Sequence, residues 1–286
     1  MPGGGDRRRP VSRRRGEAEL GGEQVEGRQA VRELLRAGRR RVQQVMVDAA
    51  TGERGPLTEI AALAEGKGVP VRRVPRARIE ADAASDAPQG VIAHAEAIEP
   101  VELDRLTQTR AGRPAPFLVV LDGVTDPHNL GAVMRSALSA GATGLVIGRH
   151  RAARLTPTAV KAAAGAAEYL PIGLVAGIPA ALAELRSAGL WTVGLDAAAL
   201  EGQRSAAVWD LEVATEAVAL VLGAEGRGLS PLARQRCEVV VGIPMVGPLD
   251  SLNVSAAAAV ACFEVARRRG AGAEAPARGR PGSGSR

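Results

Sequence analysis

From residue 117 onward, short apolar runs alternate with segments of helical periodicity, and this alternation constrains the fold more than any other feature of the chain. Residues 117–121 (FLVVL), 145–147, 191–195, 217–222 and 239–243 read as strands. Residues 129–140, 159–167, 179–187 and 231–235 read as helices, and 253–269 as a long final helix rich in alanine. A strand that is apolar at every position needs cover on both faces. Strands separated by helices run parallel, because each crossover returns the chain to the same end of the sheet. Residues 117–269 are therefore expected to form an α/β domain around a parallel sheet. Aromatic residues make up only 2% of the chain, so its core must be built from Ala, Val, Leu and Ile.

A second, smaller alternation precedes it. Residues 28–37 read as a helix with Ala30, Val31, Leu34 and Leu35 on one face. Residues 42–47 read as a strand, 57–65 as a helix with Pro56 at its start, and 69–74 and 90–98 as further strands. This pattern describes a small α/β domain over residues 22–98. Residues 99–116 are polar and Pro-containing and read as a linker. Residues 1–21 and 270–286 lack periodicity and read as disordered tails.

The net charge of +6 is unevenly placed. Residues 1–15 hold six Arg and one Asp, and residues 267–286 hold six Arg and one Glu, so each end carries +5. Residues 16–266 are left with −4. Arg-rich tails suit either salt-sensitive attachment to RNA or plain solubility. Arg39, Arg40 and Arg41, and then Arg72, Arg73, Arg76 and Arg78, form clusters that either grip phosphates or coat a solvated surface.

Cys237 and Cys262 are far apart, form no CxxC and lie among apolar residues. They read as buried core thiols, not as a zinc site or a disulfide framework. No apolar run is long enough to span a membrane, and no apolar stretch of signal-peptide type follows the arginine-rich start. A cytoplasmic protein without membrane association is expected.

Three polar loops follow apolar strands. The first runs from Asp122 through Asp126-Pro127-His128-Asn129 to Arg135. The second is Gly223-Ala224-Glu225-Gly226-Arg227-Gly228-Leu229. The third runs from Ile243-Pro244-Met245 to Ser251-Leu252-Asn253-Val254-Ser255 and leads directly into the final helix. In open α/β sheets ligands bind beyond the carboxyl ends of the strands, so three such loops on one sheet converge. Asn129 is expected to cap its helix, and Arg135, set among apolar neighbours, to need a partner. His128 reads either as a general base or as turn packing. The glycine order of the second loop matches neither the dinucleotide fingerprint nor a P-loop.

Together these segments resemble the three motifs of the SpoU (TrmH) branch of the SPOUT methyltransferases, which are RNA ribose 2′-O-methyltransferases. Residues 122–129 further resemble the subgroup that methylates guanosine in bacterial 23S rRNA, and Val25-Glu26-Gly27-Arg28 is similar to its L30e-like substrate-binding domain. The resemblance implies a SPOUT domain with a deep trefoil knot preceded by an L30e-like α/β domain. It implies S-adenosylmethionine as methyl donor, no metal, RNA as substrate, and a homodimer whose site borrows residues across the interface. Gly223, Ile243 and Leu252 would line the cofactor pocket. Asn129, Arg135, Glu225, Ser251 and Asn253 would form the polar catalytic set, with Arg135 as the catalytic arginine. The other readings are a tRNA target, an rRNA site conferring antibiotic resistance, or a non-catalytic RNA-binding protein of ribosome assembly.

Overall fold

The structure is a computed structural model that describes residues 20–52, 54–109, 112, 114–196 and 204–270. Both arginine-rich tails lie outside the described residues, apart from Leu20, Gly21 and Gly270. Leu20 is fully buried, its carbonyl accepts from the Leu155 amide at 2.9 Å, and Gly21 bridges to Leu155. The packed body thus begins two residues before the boundary at 22.

The first unit contains β1 (Gln24–Glu26), α1 (Arg28–Ala37), β2 (Val42–Asp48), α2 (Pro56–Gly66), β3 (Val71–Val74), α3 (Arg76–Asp82) and β4 (Val91–Ala95). Its sheet has the order β1-β4-β2-β3, antiparallel except for the parallel pair β2–β3. Helix α1 buries the apolar stripe Ala30, Val31, Leu34 and Leu35. The sequence pattern misses β1, which is only three residues long, and α3, which buries only Ile79.

The segment 99–116 does more than connect. Val101 donates to the Ile172 carbonyl at 2.8 Å, and α4 (Leu103–Thr107) buries Leu106 against the face that holds Leu118 and Val146.

The second unit contains β5 (Phe117–Asp122), α5 (Pro127–Ser139), β6 (Gly144–Gly148), α6 (Pro157–Ala162), β7 (Ile172–Val175), α7 (Ile178–Ser187), β8 (Trp191–Leu195), β9 (Arg204–Ala207), β10 (Val218–Gly223), α8 (Pro231–Arg236), β11 (Val239–Gly242) and α9 (Val254–Arg268). The expected parallel sheet is present, with strand order β7-β6-β5-β10-β8-β11-β9 and every pairing parallel. The period of two along β5 divides its side chains between two layers. Phe117, Val119 and Leu121 pack with Leu130, Val133 and Met134 of α5 and Ala258, Ala261 and Cys262 of α9. Leu118 and Val120 pack with Ile178, Leu182 and Leu185 of α7 and with Ala233 and Cys237. Helix α9 leaves β11 near one edge of the sheet and returns to pack on α5. Arg269, just beyond it, donates to the carbonyls of Ala214 and Ala115, at 2.8 and 2.7 Å, and lies 5.4 Å from the Phe117 ring centroid.

The two units share one continuous apolar core, and a polar lock fastens them. Arg40 is paired with Glu168 at 2.6 Å, both side chains being under a tenth exposed, and donates to the carbonyls of Gly22 and Glu96, each at 2.6 Å. Beside it, the Tyr169 hydroxyl donates to Glu33 at 2.8 Å, and Arg39 lies over the Tyr169 ring. Most of the arginine clusters are therefore engaged within the protein. Arg39 and Arg40 join the lock, while Arg73, Arg76 and Arg78 pair with Glu65, Glu80 and Asp82.

Removing one member of a buried ion pair strands the other charge. Arg40→Ala is expected to destabilise the protein by about 3–5 kcal/mol, read from denaturant unfolding, whereas Arg76→Ala, at an exposed and solvent-screened pair, should leave the unfolding midpoint nearly unchanged. Both cysteines are buried, and burial is the leading cause that pushes each thiol up to about 12. Both therefore stay protonated at pH 8, and alkylation of the native protein is expected to be slow there and to become rapid on unfolding in denaturant.

Candidate active site

Strands β6, β5, β10, β8 and β11 are consecutive in the sheet and parallel, so their carboxyl ends share one edge. The three polar loops leave the adjacent β5 and β10 and the nearby β11, and they meet there. Asp126 starts α5. Its carboxylate accepts from the amides of His128 (3.2 Å) and Asn129 (3.1 Å), with Pro127 in the first turn. The cap is thus Asp126 and not Asn129, which leaves the Asn129 carboxamide for other contacts.

That carboxamide is 8% exposed at residue level. Asn129 Nδ2 donates to Glu225 Oε2 at 3.3 Å, and Asn129 Oδ1 accepts from Asn253 Nδ2 at 3.1 Å. Asn253 Nδ2 also lies 3.4 Å from Glu225 Oε1. Asn253 is the N-cap of α9, its Oδ1 accepting from the amide and hydroxyl of Ser255 at 2.9 and 2.6 Å. One side chain thereby starts the last helix and closes the cluster. Because the amide oxygens accept and the nitrogens donate, these bonds orient both carboxamides.

The loop after β10 is drawn tight beside this cluster. Ala224 and Gly228 exchange backbone hydrogen bonds at 3.0 and 2.9 Å. A Cβ on Gly223 would lie 2.0 Å from the Gly228 carbonyl carbon, so only glycine fits. Two carboxylates hold the loop's far end. Asp122 accepts from the Ser230 amide at 2.7 Å, and Asp196 accepts from the Leu229 amide at 3.3 Å and pairs with Arg234.

A cavity of about 330 Å³ opens between this loop and the one after β11. Its wall contains Gly223, Ile243 and Leu252, with Leu222, Val254 and Ala257 adding apolar surface and Asp196, Glu225 and Asp250 adding carboxylates. That size lies at the lower end of small-molecule sites. Glycine backbone, an aliphatic wall, three acids and Arg227 suit a ligand with a flat apolar part and charged groups of both signs. The sequence pattern does not single out Asp196. Its signal there is an acid immediately beyond a strand's apolar run.

Ser251 lines the cavity but is not hydrogen-bonded to the asparagine cluster, where Ser255 is engaged instead. Arg135 is exposed and, among the described residues, has no hydrogen-bond or ion-pair partner, so the expected internal partner is absent. His128 is also exposed, with its amide capped by Asp126. Among the described residues no group of three His, Cys, Asp or Glu is placed to hold a metal ion, and no helix is long and apolar enough to cross a membrane.

Fold and site define an open α/β domain in which an oriented polar cluster adjoins a cofactor-sized cavity. Comparison with known proteins makes this specific. Residues 116–263 match the SpoU rRNA methylase family, and residues 24–101 match the RNA 2′-O ribose methyltransferase substrate-binding family. The chain is 39% identical over 232 residues to the 23S rRNA (guanosine-2′-O-)-methyltransferase RlmB of Xanthomonas campestris, covering 80% of this chain and 89% of that one. It is 38% identical over 250 residues to RlmB of Pseudomonas putida, covering 86% and 97%. The crystal structure of the SpoU methyltransferase AviRb from Streptomyces viridochromogenes in complex with AdoMet is similar at a TM-score of 0.68 and 27% identity, over 86% of this chain and 89% of that one. The chain belongs to the SpoU rRNA methylase family.

Asn253→Ala removes a helix cap and two bonds of the cluster together. It is expected to lower stability by about 1 kcal/mol in thermal or denaturant unfolding. Asn253→Asp keeps the cap acceptor but places a carboxylate against Glu225, so it should retain α9 and disrupt the cluster.

Proposed function

We propose that this protein transfers a methyl group from S-adenosylmethionine to the ribose 2′-hydroxyl of a guanosine in 23S rRNA. The observation that carries the reading is the meeting of Asn129, Glu225 and Asn253 at the mouth of a cavity walled by Gly223, Ile243 and Leu252. Family membership supports the chemistry, and the two RlmB relatives support the target. The AdoMet complex of a structural neighbour supports the donor.

S-adenosylmethionine supplies a methyl group already activated on a sulfonium, so the proposed reaction needs no metal. The protein's task is alignment and charge stabilisation. Gly223, Ile243 and Leu252 would hold the donor, in a cavity whose acids and Arg227 offer both signs of charge to it. Asn129 and Asn253, oriented by Glu225, position the ribose hydroxyl, and Ser251 shapes the wall between donor and acceptor. Arg135 steadies the negative charge that develops on the 2′-oxygen as the hydroxyl proton passes to solvent water. A guanidinium gives up its proton too reluctantly for general-base duty, so charge stabilisation is the better task for it.

Arg135 is exposed on α5, away from the hydrogen bonds of its own protomer, and we assign it to the site of a partner subunit in a homodimer. Val260 and Phe263, exposed on the neighbouring α9, supply an apolar face for that dimer. We further assign residues 22–98 to an L30e-like RNA-binding domain, 99–116 to the linker and 117–269 to the SPOUT domain. We infer a deep trefoil knot in the latter from its membership of the SpoU family alone. The basic tails, residues 1–21 and 270–286, would add salt-sensitive RNA affinity in the cytoplasm.

Purified protein with isotopically labelled S-adenosylmethionine and 23S rRNA is expected to produce an alkali-resistant linkage at one guanosine. Incorporation into a base, or none into rRNA, would overturn the proposal. Asn129→Ala and Glu225→Gln should lower kcat by on the order of 10²-fold. Arg135→Lys should lower kcat similarly, and its pH–rate profile separates electrostatic from base roles. Near-full activity of this variant would exclude both.

A further inference from the structure

We infer that the loop at residues 149–154 grips the sugar–phosphate backbone of the RNA substrate and leads the acceptor strand to the Asn129 cluster, an inference that rests on the RNA-modifying function proposed above. The segment reads Arg149-His150-Arg151-Ala152-Ala153-Arg154, three arginines with no acid among them. It leaves the carboxyl end of β6, the strand beside β5, on the edge of the sheet that carries the site. The Ala153 amide donates to the Val124 carbonyl at 2.9 Å, tying this loop directly to the one that carries Asn129.

The loop is built to hold its shape. Arg154 donates to the Gly148 carbonyl at 3.2 Å and to that of Arg149, and the Arg149 amide donates to the Val175 carbonyl at 2.7 Å. These bonds leave the guanidinium groups of Arg149 and Arg151 exposed and, among the described residues, without a hydrogen-bond or ion-pair partner. Arg32, Arg36, Arg73, Arg76 and Arg78 are each matched to an acid. Arg151 also has a φ of 52°, a left-handed backbone that a long side chain seldom adopts.

Placement gives these cations a purpose. The cavity lies on the β10, β8 and β11 side of the asparagine cluster, and the basic loop lies on the β6 side. Donor and acceptor strand would thus approach from opposite flanks. The first unit docks on the loop's flank. Leu155, next to Arg154, bonds to Leu20, and α6, which follows, packs on β1. Lys161 of α6 lies beside Gly27 at the start of α1. The chemistry also selects phosphate. Two Phe, two Trp and one Tyr in the whole chain give little surface for stacking bases, whereas guanidinium groups match phosphate oxygens in pairs.

The test compares the full-length protein with R149A/R151A and R149K/R151K, using protein-free 23S rRNA transcript. RNA affinity is measured across a salt series, alongside KM for RNA and S-adenosylmethionine affinity by calorimetry. The alanine pair is expected to bind RNA about tenfold more weakly, with a salt slope reduced by roughly 0.7–0.9 for each phosphate that is no longer neutralised. KM should rise more than kcat falls, cofactor affinity should stay at the parent value, and the lysine pair should recover the salt slope but only part of the affinity. An alanine pair with parental RNA affinity and salt slope overturns the inference. If the parent binds RNA through this loop but transfers no methyl group, the proposed reaction fails and the inference stands. If the parent binds no RNA, both fall.

Discussion

The hydrogen bonds among Asn129, Glu225 and Asn253 join the start of α5, the loop after β10 and the start of α9. These three points are far apart in the chain, and that junction sets the mutual orientation of their polar side chains. Asn253 is central because its amide group acts in two directions. The oxygen caps α9, and the nitrogen reaches Asn129 and Glu225. The last helix of the chain therefore cannot shift without disturbing the cluster. Its packing against α5 and the anchoring of Arg269 near β5 hold its two ends.

The glycine loop beside the cluster is rigid for a related reason. Its backbone closes on itself between Ala224 and Gly228, and the carboxylates of Asp122 and Asp196 hold its far end. Those acids sit at the carboxyl ends of β5 and β8, so the sheet itself fixes the loop and, with it, one wall of the cavity. The first unit is held in the same spirit. A buried Arg40–Glu168 pair and a shared apolar core fasten it to the second. The two units thus keep a fixed spacing.

Much of this is legible in the residues, for identifiable reasons. Strands such as 117–121 and the stripe of α1 announce themselves because burial demands apolar side chains at set intervals. Strand β9, an edge strand with the sequence RSAA, carries no such demand and leaves no pattern to read, and the same holds for the short α3 and α4. Asn129, Glu225 and Asn253 stand out from their motifs, and the structure brings them within hydrogen-bonding distance. Two local readings fail because a competing group takes the place. Asp126, not Asn129, caps α5, and Arg135 points outward instead of pairing internally.

The sequence by itself determined the α/β class, the parallel sheet, the identity of the three loops and the buried state of Cys237 and Cys262. All of these follow from side-chain polarity read at short range. Only the tertiary structure decided which strands are neighbours, and so which loops share an edge. Strand order, the Asp196 contacts, the Arg40–Glu168 lock and the link from Ala153 to Val124 join residues far apart along the chain. No local periodicity encodes them, because each exists only after the sheet has assembled.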